Sequence, residues 1–242
     1  MIDIHTHVLP GVDDGAKDLN DSLALLIVAK ADGIERLVAT PHIQPGRFNN
    51  DRTNLTHIFA KLKTAVSNAN IDIELGLAAE ARLDSELINL IKLRQVPFIG
   101  KVESSDCLLL ELPHSHVPLG YDKFVRWLLN ENIRVLIAHP ERNRGIQKDY
   151  SYISKLIDLG CEFQLTASSI EGLWGQNAQS LGEKMLLNGH ANYIASDAHS
   201  IKRRPAILSR AKEKVINLLG EHRAHKLFVA NPKLLTESLF LD

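Results

Sequence analysis

The first fourteen residues, MIDIHTHVLPGVDD, contain His5, His7, Asp13 and Asp14. Imidazoles and carboxylates are the side chains that bind divalent cations, and here two imidazoles and, with Asp3, three carboxylates crowd into one short stretch. The same residue types recur downstream in compact groups: His42 in TPH, Glu80 in AAE, Glu111 in LELP, His139 in AHPER, and Asp197 with His199 in SDAH. Side chains alternate in direction along an extended segment, so His5 and His7 face one side and can grip one ion; Asp197 and His199 repeat that geometry. Counting one of Asp13 or Asp14, the set offers about nine nitrogen and oxygen ligands. A tetrahedral zinc site takes four, so this set fits two or three ions with water completing their coordination.

Charge points the same way. Asp14, Glu80, Glu111 and Asp197 converging without cations would repel one another, and at least one would hold its proton. Three divalent ions reverse the sign and leave a site suited to an anion such as a phosphate ester. Arg142, three residues after His139, and Arg204, five after His199, project near the same place; a guanidinium fork matches phosphate oxygens bidentately. Arg47, Arg144 and Arg203 are weaker candidates from the same loops, and His114 and His116 in PHSHVP are candidates for a substrate-side role. A lone HxH is most simply a solvated pair, and a lone DxH says less. The joint, ordered pattern carries the metal reading.

These residues need a scaffold that brings distant segments together. Short apolar runs alternate with segments of helical period, the rhythm of repeated β-α units. Strands are expected at IDIH, RLVAT (36–40), IDIELGL (71–77), CLLLEL (107–112), RVLIAH (134–139), CEFQLT (161–166) and NYIASD (192–197). Helices are expected over about 18–32, 54–69, 121–130, 150–159 and 178–187, and less distinctly after that. Every metal-type residue then falls at the C-terminal end of a strand. In a parallel barrel those ends open onto one face, where active sites are built. With no linker, low-complexity tract or internal repeat in 242 residues, the expectation is a single α/β domain over 1–242.

Composition narrows the functions. The chain is 45% hydrophobic with no run long enough to span a bilayer, so no direct membrane insertion is expected. Lys plus Arg number 28 against 29 for Asp plus Glu, without long blocks of either sign, so no nucleic-acid partner is expected. Two cysteines make no disulfide framework and the N-terminus lacks a signal-peptide pattern, which reads as cytoplasmic. A cysteine-based phosphatase needs Arg six positions after its nucleophile, but positions 113 and 167 are Pro and Ala. Serine-hydrolase, P-loop, HExxH and dinucleotide motifs are also missing. The natural attacker is therefore a metal-bound hydroxide.

The ordered set HxH, His, Glu, His, DxH resembles the polymerase and histidinol phosphatase (PHP) superfamily, whose fold is a distorted seven-stranded (β/α)7 TIM-like barrel. Within it, DIHTHVLPGVDDG, ATPH, AAE, LLLELP, IAHPER, LTASSIEG, SDAHSIKRRP and FVANPKLL are similar to the bacterial manganese-dependent protein-tyrosine phosphatases of capsule and exopolysaccharide clusters, over nearly the whole chain. The resemblance implies three divalent ions, manganese foremost, with Fe or Zn compatible with the ligand types. It would put His5, His7, Glu80 and Asp197 on one ion; Glu80 as a bridge with Glu111 and His139 on the second; and Asp14, His42 and His199 on the third. Many superfamily members have His in place of Glu111 and of Asp13 or Asp14, and these departures match the tyrosine-phosphatase branch. The implied reaction is phosphotyrosine hydrolysis, with Arg142 and Arg204 on the phosphoryl oxygens and Asp13 or a metal-bound water as acid. The implied partner is the phosphotyrosine-bearing tail of a bacterial tyrosine kinase that regulates polysaccharide synthesis. Rival readings are a small-molecule phosphoesterase such as histidinol phosphatase, an amidohydrolase, and a non-catalytic kinase-binding scaffold.

Overall fold

The structure is a computed structural model that describes residues 1–241. Its strands are β1 (Ile2–Thr6), β2 (Arg36–Ala39), β3 (His42–Ile43), β4 (Glu74–Leu77), β5 (Glu80–Arg82), β6 (Gly100–Val102), β7 (Ser105–Glu111), β8 (Ile133–Ala138), β9 (Glu162–Thr166) and β10 (Tyr193–Ala195). One path of parallel pairing runs β1-β2-β4 and a second runs β3-β5-β7-β8-β9-β10. β2 with β3, and β4 with β5, are single barrel strands broken in the middle. Pro41 has no N–H to give to a ladder, which interrupts the first of them. Between Thr6 and Ala198 the ring closes: the Asp197 N–H donates to His5 O (2.9 Å) and the His7 N–H to Ala198 O (2.7 Å). The result is the seven-stranded TIM-like barrel expected from the sequence.

The expected helices form at Leu19–Ala31, Arg52–Asn68, Tyr121–Asn130, Ser151–Asp158 and Gln176–Leu187. Asp18 caps the first of them through Asn20 and Asp21 N–H groups, and Gly33 turns the chain out of it at φ +83°. Several elements were not expected, short helices at Arg144–Lys148 and Ala167–Ile170 among them. The antiparallel pair β6–β7 folds around Glu103, a non-glycine residue at φ +55°, with no Asn-Gly signal to announce it. A short helix at Leu87–Lys92 is also new.

Period-2 alternation sorts the core. Cys107 and Leu109 face a small cluster inside the barrel, with Ile2, Leu136, Ala138, Tyr193 and Ala195; Leu108 and Leu110 face the larger layer between strands and helices. Each fully buried leucine contributes about 1.5–3 kcal/mol. Leu235, near the chain's end, joins the interior cluster and closes the barrel's N-terminal end. It packs so closely that a Cβ on Gly100 would lie 1.9 Å from Leu235 O. The opposite end is left for polar residues. Among the described residues no helix is long and apolar enough to cross a membrane.

Candidate active site

The same alternation aims the site. Glu111 shares the inward parity of Cys107 and Leu109, and Asp197 that of Tyr193 and Ala195, so both carboxylates emerge at the mouth just above the apolar plug. Register aligns the broken strands: His42 pairs with Glu80, and Arg82 with Glu111. β1 needs a further device, because Ile4 already faces the interior. Between Asp3 and Thr6 the strand gains one residue over β2, a bulge that re-aims His5 into the mouth. Asp3, fully buried, braces the bulge by accepting from the His5 N–H (3.4 Å) and the Ser196 N–H (3.0 Å); burial pushes its carboxyl up to about 6. His139 (φ +32°) and Asp197 (φ +54°) both hold left-handed backbone that non-glycine residues seldom adopt, a strain that collects at functional sites.

At the mouth the potential ligands interlock. His5 Nε2 lies 3.3 Å from His7 Nε2, and each is 3.3 Å from Glu80 Oε2. Asp197 Oδ1 lies 3.5 Å from His5, 3.4 Å from His7 and 3.6 Å from His199. Glu80 Oε2 is 3.0 Å from His42 Nδ1, and Glu80 Oε1 is 2.7 Å from His139 Nε2. Asp14 Oδ1 is 3.5 Å from both His42 Nε2 and His199 Nε2. Every one of the nine ligand positions named from sequence thus belongs to a group whose donor atoms lie within 4.8 Å of one another. His114 joins them beside Glu111 and His139. His116 does not; it faces Ser115 on an exposed loop.

The donor atoms fit divalent cations by a test independent of spacing. Glu80 Oε2, Glu111 Oε2, Asp197 Oδ1 and His42 Nδ1 are all buried with no hydrogen-bond partner. Buried carboxylate oxygens without partners are costly, and cations would satisfy them together. Electrostatics agrees at Glu111, His139 and His199; at His5 and His7 burial is outweighed by neighbouring carboxylates, which raise both rings. Burial, then the Glu80 charge, pushes Glu111 up to about 7, the proton retention that converging carboxylates predict in the absence of cations. Burial, with Arg142 adding to it, pushes His139 down to about 3, and burial with His7 pushes His199 down to about 4. Both rings are then neutral at pH 7, the state that can ligate a cation.

Asp13 and Asp14, left undecided by the sequence, do different things. Asp14 is 43% exposed and faces the mouth. The Asp13 side chain is fully buried behind it: His7 Nδ1 lies 2.7 Å from Oδ2, the His42 N–H donates to Oδ2 (2.9 Å) and the Gly15 N–H to Oδ1 (2.9 Å). Although burial raises it, the His7 charge and hydrogen bond hold the Asp13 carboxyl below the ordinary value. So engaged, the Asp13 carboxylate faces the back of His7, the placement of a group that can orient the ring. Gln164 does the same for His5, with Oε1 2.8 Å from Nδ1.

Arg142 and Arg204 both pair with Asp197 Oδ2 and both line the recess with the ligand residues. Arg47 stands at its rim, 3.5 Å from Asp14; Arg144 and Arg203 do not line it. Besides Gln164, three contributors escaped sequence reading. Arg82 contacts Glu111 Oε1 (2.9 Å), and its place two residues after Glu80 on one strand was the available signal. Trp174 lies under both guanidinium groups, 3.8 Å from Arg142 and 5.2 Å from Arg204. Phe48 stacks on His42 at 5.4 Å. Nothing in a local pattern announces the last two.

A TIM-like barrel with a buried His and carboxylate cluster at the C-terminal ends of its strands defines the class of barrel metallohydrolases. Residues 1–237 match the family model for capsular polysaccharide synthesis, CpsB/CapC, and the chain belongs to that family. It is 35% identical over 210 residues to a putative tyrosine-protein phosphatase CapC of Staphylococcus aureus, covering 87% of this chain and 81% of that one. It is 30% identical over 204 residues to the tyrosine-protein phosphatase YwqE of Bacillus subtilis, covering 84% and 79%. Among solved structures it resembles, at TM-score 0.90 and 28% identity, a chain from a study of YwqE and the Streptococcus pneumoniae CpsB described as unique metal-dependent tyrosine phosphatases; the match covers 100% of this chain and 96% of that one.

Proposed function

We propose that this protein is a metal-dependent tyrosine phosphatase of capsular polysaccharide synthesis, acting on the phosphotyrosine-bearing tail of a bacterial tyrosine kinase. The observation that carries this reading is a buried set of cation-type donors sharing one recess with two guanidinium groups. Family membership and the similarity to tyrosine phosphatases supply the substrate class. His5, His7, Glu80 and Asp197 would hold one divalent ion, Glu80, Glu111 and His139 a second, and Asp14, His42 and His199 a third, with manganese the proposed metal. Such ions supply Lewis acidity toward the phosphoryl oxygens and make water nucleophilic at neutral pH.

The chain's own residues do the rest. Arg142 and Arg204 each use one nitrogen on Asp197, which leaves other N–H donors for phosphoryl oxygens; Arg142 Nε is buried with no partner. The recess measures about 50 Å³, room for a few water-sized groups and none for an aromatic ring. The phosphoryl group enters and the tyrosine ring stays at the rim, near Trp174, Phe48 and Arg47. His114 there is pushed down to about 4 by burial and by Arg142, so it stays neutral at pH 7 and donates no proton as an imidazolium. Tyrosinate, with a pKa near 10, leaves without a strong acid.

The test is to strip the protein of metal, restore Mn, Fe or Zn, and compare kcat/KM on phosphotyrosyl peptide, phosphoseryl peptide and histidinol phosphate. Metal-dependent turnover favouring phosphotyrosine is expected. Preference for histidinol phosphate would replace the substrate; no turnover with any metal would favour a binding scaffold. Asp13→Asn tests the orienting role: it is expected to weaken Mn affinity about 10- to 100-fold, with kcat largely recovered at saturating Mn. A kcat lost even at saturating Mn would return Asp13 to the chemistry.

A further inference from the structure

Beside the recess, and sharing Asp14, His199 and Arg204 with it, runs a groove of about 560 Å³. That is the size of an ordinary ligand cleft, roughly ten times the recess itself. Lys17, Lys202, Arg203 and Arg204 line it, with Asp14 and Asp21 as the acidic side chains. Asp14 belongs to the ligand set, and Asp21 accepts from the Lys17 N–H at the start of the first helix. Lys17, Lys202 and Arg203 are exposed and have no ion-pair partner among the described residues. The whole chain carries a net charge of −1, so this local excess of unpaired cations is not the average of its surface.

We propose that this groove docks acidic side chains flanking the phosphotyrosine in the substrate polypeptide, and so selects the sequence context that is dephosphorylated. The proposal rests on the phosphatase reading and deepens it. The recess admits only the phosphoryl group, so the neighbouring residues of a bound peptide must lie outside it. The groove is the adjoining space large enough for them, and its charge is complementary to Asp and Glu. Exposed ion pairs of this kind are individually weak and screened by salt, so several acting together should give roughly a 3- to 10-fold preference at low ionic strength.

The experiment uses the Mn-loaded full chain. Two phosphotyrosyl peptides, one with Glu and Asp on both sides of the phosphotyrosine and one with Ala and Ser, are compared by kcat/KM in 50 mM and 500 mM NaCl, with para-nitrophenyl phosphate as a substrate that cannot reach the groove. Their non-hydrolysable phosphonate counterparts are compared by fluorescence anisotropy. The acidic peptide is expected to be favoured in both assays at low salt. Lys17→Glu/Lys202→Glu should remove or invert the preference while para-nitrophenyl phosphate turnover changes less than threefold. Equal handling of the two peptides, or a preference the double variant leaves intact, overturns the proposal. Anisotropy reads docking even if no phosphoester is turned over, so failure of the phosphatase reading and failure of the groove remain distinguishable.

Discussion

Glu80→Gln is expected to lower kcat on a phosphotyrosyl peptide by about 10³-fold and to leave the purified protein short of at least one metal ion. Glu80 is fully buried, and its two oxygens lie within 3.3 Å of ring nitrogens from His5, His7, His42 and His139, so it links four of the five histidines of the candidate ligand set. Burial alone would raise its pKa; His5, His42 and His139 outweigh that and hold it well below the usual carboxylate range. The amide keeps the shape but loses the charge and one acceptor, and turns an N–H₂ group toward the cation positions. Charge stabilisation by a catalytic ion is worth several kcal/mol, and about 4 kcal/mol corresponds to that thousandfold loss. Metal content by elemental analysis, alongside kcat and circular dichroism, reads the result. A folded variant with full metal and turnover within tenfold of the parent would remove Glu80 from the centre.

The second large effect is expected from Arg142→Lys, which should cost about 10²- to 10³-fold in kcat/KM while metal content stays unchanged. The guanidinium is nearly buried, with its side chain 7% exposed, tied to Asp197 and stacked on Trp174 at 3.8 Å. Lysine preserves the charge but not the fork, the stacking, or the buried, unpartnered Nε. Loss of a preorganised donor to a developing oxyanion typically has this size. Weaker inhibition by inorganic phosphate in the variant would locate the loss at the phosphoryl group. If Arg142→Lys retains kcat/KM within fivefold, the arginine is a counter-ion of Asp197 and nothing more.

The cluster of cation-type side chains was legible because its chemistry is local to each strand end. HxH and DxH are readable from alternation alone, and apolar runs ending in His139, Glu111 or Asp197 mark where a buried strand meets the polar mouth. The helix at Tyr121–Asn130 was legible for a similar reason, its apolar period being short-range. The β6–β7 hairpin was not, because its turn uses Glu103 in a left-handed conformation instead of a residue that favours one. The placement of Asp13 was not legible for another reason. Sequence gives its type and its neighbourhood, but whether a carboxylate points at the mouth or at the back of His7 depends on how the loop after β1 folds over His42 and Gly15.

By itself, the sequence determined the barrel rhythm, the parity of each strand and therefore which ionisable residues reach the open end, since all three follow from periodicities of a few residues. Only the tertiary structure decided which of those residues touch. The bulge in β1, the ring closure through Asp197 and His5, the His42–Glu80 register, and the Trp174 shelf under Arg142 and Arg204 each join segments far apart in the chain. Contacts of that kind are fixed by packing and hydrogen-bond closure of the whole ring, and no local pattern encodes them.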